Sequence, residues 1–328
     1  MMNYKVMNIK KIDRKCGLLA GLLAVSGWMC AQEKVEPISF GNMDQWVVRK
    51  IEESGIIGGN TKTIYEVGPS QTIEGRTAYT NLGGSPWGSS NVMAKVSGIV
   101  KTNCSVYPDQ HGKGRCAKML THTESVKVLG IINIKVLAAG SLFLGDMMEP
   151  ITSTEDGPKN MNWGIPFTKR PKAIRYDYKA TLTGNGQRIR QTGFSRVKTV
   201  AGQDCAVTTL LLQQRKEDAN GRITALRVGT MVVKYDRSVP DWVNGATYEI
   251  HYGDIRQMKG YDEATMGLRK DIYARNSRGE SVLVEETGWA PANAKPTHLG
   301  LQFTSSHGGA YVGAPGNTFW VDNVALIY

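Results

Sequence analysis

The chain has 328 residues, with 40 Lys and Arg against 29 Asp and Glu for a formal charge of +11, and 37 glycines. A hydrophobic content of 41% with 21% charged residues excludes extended disorder. Beyond residue 31 no apolar stretch reaches transmembrane length, so no membrane-spanning helix is expected there.

In chain order, Lys5, Lys10, Lys11, Arg14 and Lys15 precede an apolar run from Leu18 to Met29 that ends in the small residue Ala31. This is the pattern of an export signal, and its core is too short for a stable membrane anchor. Cleavage is expected between Ala31 and Gln32, which sends the protein to the periplasm, the outer-membrane surface or the medium. Lipid attachment at Cys30 is the alternative, disfavoured by the bulky Trp28 and Met29 before it. Removing residues 1–31 takes five basic residues and one acid, so the remaining 297 residues carry 35 basic and 28 acidic side chains, a net charge near +7. One domain over residues 37–328 is the simplest division, with 32–36 as a flexible lead-in.

The mature region reads as β. Asp44 to Glu53 is the one mild helix candidate, followed by strand candidates Thr63 to Val67, Ala117 to Thr123 and Ser141 to Leu144. Ile174, Tyr176 and Tyr178 alternate with Arg175, Asp177 and Lys179; Ala206 to Leu212, Ala225 to Val233, Thr247 to Tyr252 and Ser281 to Glu285 come next. Leu299, Leu301 and Phe303 then alternate with polar or small neighbours, and Phe319 to Tyr328 closes the chain. About ten strands without intervening helices imply an all-β fold, an antiparallel sandwich or jelly roll.

Three cysteines follow residue 31. A Cys104–Cys116 bridge would close the turn-rich loop between them and stabilise by roughly 3 kcal/mol, while pairing of Cys116 with Cys205 remains open. Their wide spacing is a weak signal for structural zinc.

Several segments resemble the putative carbohydrate metabolism domain family, secreted jelly-roll proteins similar to carbohydrate-binding modules. They are PWGSSNVMAK (86–95), GSLFLG (140–145), PFTKRPKAIRYDYK (166–179), GQDCAV (202–207), YGDI (252–255) and TSSHGGAYVGAPGNTFWVDNVALIY (304–328). The resemblance runs in order over almost the whole mature chain. It implies a jelly-roll β-sandwich and a role with carbohydrate, the sandwich standing here without the immunoglobulin-like domain that often precedes it.

Sugar-binding sandwiches stack a pyranose face on an exposed ring while amides and charged groups hold the hydroxyls. Trp87, Trp163, Trp289 and Tyr311 all sit among turn formers and are candidate ligand-binding residues, with His307 beside them in a Gly-rich loop and His111 in another. The competing reading makes each Trp a loop anchor packed on the core edge. Trp46, Trp242 and Trp320 lie in apolar strand patterns and are assigned to the core. Asp322 in FWVDNVALIY is a candidate ligand of a structural calcium by resemblance to closing strands of carbohydrate-binding jelly rolls, against a plain hydrogen-bonding role.

Between Lys169 and Lys198 lie nine basic residues and one acid, Asp177. They suit either a polyanion such as an acidic glycan or a solvated hairpin face, the latter favoured by strand alternation; nucleic acid is not an expected partner. No acid pair, nucleophile elbow or close-spaced histidine pair marks a catalytic centre, although acids such as Asp109, Asp156, Asp254, Asp262 and Glu286 sit in suggestive loops. The expected function is therefore a non-catalytic glycan-binding or accessory module without a cofactor. The alternatives are a glycoside hydrolase whose carboxylates only the fold assembles, and a structural or adhesion protein of the cell envelope.

Overall fold

The sandwich is organised around its last strand, Thr318–Ile327. There Phe319 and Val321 point inward while Trp320 and Asp322 point to the other face, as strand periodicity requires. The computed structural model describes residues 33–128, 132–153, 157–183, 186–193 and 196–328, so the expected signal segment, Cys30 and Asp156 lie outside the described residues. Residues Lys34–Tyr328 form one compact unit. No described helix is long and apolar enough to cross a membrane.

Along one edge Thr318–Ile327 pairs antiparallel with Ala173–Thr181, with Lys179 opposite Trp320 and Asp177 opposite Asp322. Its other edge is shared. Gly114–Leu120 takes positions 318–321, then Val35–Pro37 takes 325–327. Asn323 at φ 52° marks the handover. Val239–Glu249 and Val106–His111 extend this sheet to six strands. Residues 35–36, read above as part of a flexible lead-in, are thus paired strand, because the closing strand has an open edge there.

A ten-stranded sheet faces it. Ala206–Glu217 and Ile223–Tyr235 form a long hairpin, flanked by His298–Thr304 and Ser141–Met147 on one side and Ser281–Trp289 on the other. Most pairing is antiparallel as expected, but Ser281–Trp289 runs parallel to Ile223–Tyr235. Ile174, Tyr176, Phe319 and Val321 of the first sheet share one apolar cluster with Leu210, Leu212, Leu301 and Phe303 of the second. Each such buried side chain contributes about 1.5–3 kcal/mol. Tyr176 crosses the interface, its ring edge-on to Phe303 at 5.1 Å and its hydroxyl 2.5 Å from that of Tyr235, so both phenols keep a partner while buried.

The helix expected at Asp44 to Glu53 is instead the strand Trp46–Glu52, paired with Thr61–Val67. Val47, Arg49 and Ile51 are buried at alternate positions, and the inward Arg49 masks the two-residue period. Arg49 lies 3.2 Å from Glu66 and 2.6 Å from Glu149, all three side chains almost wholly buried. Burial pushes the Glu66 carboxyl up to about 8, with Arg49 opposing and Glu149 reinforcing the shift. A charge placed here without its partner would cost several kcal/mol.

Neither expected cysteine bridge forms: Cys104, Cys116 and Cys205 are free. The register explains the absence of the Cys104–Cys116 bridge. Asp109 lies opposite Cys116 and Val106 opposite Met119, which leaves Cys104 two residues beyond the last pair. Burial pushes both Cys104 and Cys116 up to about 12, which suppresses their thiolates.

Two measurements check these points. Glu66 binds its proton more tightly folded than unfolded, so its contribution is present below the ordinary carboxylate range and lost as pH rises through about 8. Tm should therefore fall between pH 5 and 9 in the wild type, and this slope should flatten in Glu66→Gln. Alkylation after denaturation without reductant, read by peptide mapping, should label Cys104, Cys116 and Cys205 alike; a protected pair would contradict the free thiols.

Candidate functional site: a ring-lined groove and a charged sheet face

The structure separates the aromatic residues expected to share a rim. Trp87 is fully buried in the strand Trp87–Ser89, its indole N–H donating to the Ser39 carbonyl at 2.8 Å and its ring 6.3 Å from Phe303. Trp163 is 3% exposed and lies directly on Gly300, where an added Cβ would fall 1.8 Å from the ring. Both are core anchors, which corrects their assignment as ligand platforms. The glycines around them serve close backbone approach; a side chain at Gly88 would meet Phe143 at 2.9 Å. Tyr311 is half-buried at φ 63°, its carbonyl accepting from Gln191 N–H at 3.0 Å.

Trp289 does reach a cavity. It ends the strand Ser281–Trp289 and, with Tyr252, Asp254, Arg256, Leu268 and Thr287, lines an open groove of 740 Å³. Each ring is backed by a cation. The buried Arg227 guanidinium lies 5.5 Å from the Trp289 centroid, and Arg170 lies 4.1 Å from that of Tyr252. Arg227 is fixed in turn by Glu286, through Nε to Oε1 at 2.7 Å and Nη2 to Oε2. The Tyr252 hydroxyl donates to the Pro171 carbonyl at 2.7 Å, and Arg170 donates to the Ala292 and Ala294 carbonyls, so the Tyr252 ring cannot swing freely. Asp254 is held by Arg256 at 2.6 Å, and hydrogen bonds from its side chain and backbone N–H keep the Asp254 carboxyl below the usual range. The groove therefore offers two oriented rings and an exposed ionised pair, while Glu286 is sealed beneath by Arg227.

The outward face of the six-stranded sheet holds a second cluster. Trp320 and Trp242, assigned above to the core, are only half-buried here. Lys179 lies 4.6 Å from the Trp320 centroid and 5.3 Å from that of Trp242, Lys118 is 5.7 Å from Trp320, and the Trp320 indole N–H donates to Asp109 at 2.8 Å. The signal was present in FWVDNV, whose alternation places Trp320 with Asp322 opposite Phe319 and Val321. His111 stacks on Trp242 with centroids 3.8 Å apart, although their strands are opposite edges of the sheet and about 19 Å would separate them were it flat. The tip of the 106–120 hairpin, displaced where Val35–Pro37 takes over the edge, thus folds across this face.

Asp322 lies beneath that tip. His111 Nδ1 is 2.7 Å from Asp322 Oδ2 and 4.0 Å from Asp177 Oδ2, and ligand atoms of the three residues lie within 4.8 Å of one another. Asn323 Nδ2 donates to Asp177 Oδ2 at 2.7 Å, and Gly245 N–H donates to Asp177 Oδ1. Burial pushes Asp322 up to about 6 against the hydrogen bonds from His111 and the Asn323 N–H, with Asp177 reinforcing the rise. These are the described residues that could together hold a metal. One imidazole and two carboxylates suit a transition ion better than calcium, which takes six to eight oxygens.

The sequence matches the model of the putative carbohydrate metabolism domain over residues 66–327, and the chain belongs to that family. Among solved structures it is similar to a putative glycoside hydrolase from Bacteroides thetaiotaomicron, at 18% identity and TM-score 0.43 over 82% of this chain and 81% of that one. It is also similar to a putative glycoside hydrolase from Bacteroides vulgatus, at 12% identity and TM-score 0.41 over 89% and 94% of the two chains. A search of curated proteins finds no match.

The Trp163–Gly300 contact gives a direct check on the core assignment. Gly300→Ala should displace the ring and lower unfolding free energy by about 3 kcal/mol, the upper range for overpacking, as read by urea denaturation.

Proposed function

We propose that the protein is an exported, non-catalytic glycan-binding or accessory module whose sugar-binding site is the Trp289–Tyr252 groove. The observation that carries this reading is the pairing of two cation-backed rings with the Asp254–Arg256 pair in one 740 Å³ groove. That size accommodates a short oligosaccharide, and rings fixed beforehand lose little freedom on binding. The carboxylates around the groove are committed to guanidinium partners, which supports binding over hydrolysis. A general acid must instead keep a proton near the scissile oxygen. Membership of a carbohydrate-metabolism family supports the ligand class, and the basic N-terminus followed by an apolar run supports export.

Glycan-array screening of the mature protein, followed by calorimetry on the hits, tests the proposal. Trp289→Ala should weaken binding about five- to thirtyfold, since stacking on one aromatic ring is worth about 1–2 kcal/mol, without lowering Tm by more than a few degrees. Absence of binding to every glycan at high protein concentration would sink the reading, and cleavage of a bound glycan would replace it with a hydrolase.

A further inference from the structure

Asp177 and Asp322 pose a charge problem that the groove leaves untouched. They lie directly opposite one another on neighbouring strands and are only 8% and 4% exposed. Like charges in direct cross-strand register repel, and burial sharpens the repulsion because little water remains to screen it. Their oxygens do have donors. The Asn323 N–H donates to Asp322 Oδ1 at 2.7 Å, Asn323 Nδ2 to Asp177 Oδ2 at 2.7 Å and Asp322 Oδ2 at 3.3 Å, and the Gly245 N–H to Asp177 Oδ1. All of these donors are neutral. Among the described residues no Lys or Arg forms an ion pair with either carboxylate, and the one ionisable base at hand is His111, 2.7 Å from Asp322 Oδ2 and 4.0 Å from Asp177 Oδ2. A proton on that imidazole cancels one charge of two. Hydrogen bonding therefore satisfies the oxygens without balancing the site, and buried charges are ordinarily paired or coordinate a metal.

Three strands bring these donors together. Asp177 and Asp322 are strand neighbours, whereas His111 ends Val106–His111 and reaches them from the folded-over hairpin tip, its ring held against Trp242 at 3.8 Å. Asn323 and Gly245 orient the carboxylates as Trp242 orients the imidazole, which is the part that outer-sphere groups play around a metal. Donor atoms about 2.1 Å from one zinc-class ion lie roughly 3–3.5 Å from one another. The separations of 2.7 and 4.0 Å straddle that range, and the three donor atoms all fall within 4.8 Å of one another. An ion could thus replace the hydrogen shared by His111 and Asp322 with side-chain shifts on the order of 1 Å, the displaced proton passing to solvent.

We infer that His111, Asp177 and Asp322 bind one divalent transition ion of the zinc class, which fixes the tip of the 106–120 hairpin over the sheet. One imidazole nitrogen and two carboxylates, with water in a fourth position, complete a zinc-class shell. Calcium takes six to eight oxygens, and these side chains supply at most four. The site shares no residue with the Trp289 groove, and the inference does not rest on the glycan reading.

Zinc chloride alone is the probe, titrated by calorimetry into the mature, untagged protein after chelator treatment and dialysis. One equivalent should bind with micromolar affinity or tighter, and zinc at a hundredfold excess over its Kd should raise Tm by about 5 °C. His111→Gln and Asp322→Asn should each weaken zinc at least a hundredfold and abolish the rise in Tm. His307→Gln, which removes a histidine outside the site, should leave both readouts unchanged. If Asp322→Asn does not fold, His111→Gln at the hairpin tip carries the test. Calcium chloride at the same concentration should leave Tm where it was. Absence of saturable zinc binding, zinc binding insensitive to the site substitutions, or calcium binding more tightly than zinc would overturn the inference, the first of these leaving a shared proton as the only counter-charge.

Discussion

The closure of the two sheets over Tyr176 is the contact on which the rest of the molecule depends. Its ring meets Phe303 across the interface and its hydroxyl meets that of Tyr235, so one side chain joins the Ala173–Thr181 strand to the His298–Thr304 and Ile223–Tyr235 strands of the opposing sheet. Because strand periodicity is two, fixing Tyr176 inward fixes Arg175, Asp177 and Lys179 outward. The charged face carrying Trp320 and Asp322 therefore follows from the core, with Asn323 as the point where the alternation resets.

Buried ions form the second level of organisation, and each joins segments that the sheets alone leave apart. Arg49 ties the Trp46–Glu52 strand to Glu149, a hundred residues away; Arg227 and Glu286 lock the floor of the groove; Asp204 gathers the loops around His307 and Asn317. Breaking such a pair exposes an uncompensated charge to a low-dielectric interior, a larger penalty than the pair's own net contribution. These residues accordingly constrain loop geometry more than they add stability.

The same ions explain what was legible in the sequence. Alternation at Ile174–Tyr178, Leu299–Phe303 and Phe319–Ile327 was readable because the inward residues are apolar, and with the family resemblance it sufficed for the all-β sandwich. It failed at Trp46–Glu52, where an inward position is Arg49 and its partners lie 17 and 100 residues away. Local composition likewise misplaced the tryptophans. Turn formers beside Trp87 and Trp163 reflect tight backbone approach around buried rings, whereas Trp242 and Trp320 sit in apolar-looking runs but face outward. Of the five expected ligand residues only Trp289 lines the groove, because its partners Tyr252 and Asp254 arrive from another part of the chain through long-range pairing of Gly229 with Tyr252.

Cation–ring pairs recur at both surfaces but with different consequences. On the sheet face His111 covers one side of Trp242, while Lys179 and Lys118 lie over Trp320, so these rings spend their faces on their own chain. In the groove, Arg227 approaches Trp289 from the buried side, and the ring still presents surface to a cavity. A ring held in place by folding loses less freedom when a ligand stacks on it. The two surfaces thus share a chemistry but differ in whether a ring face is left open to a cavity.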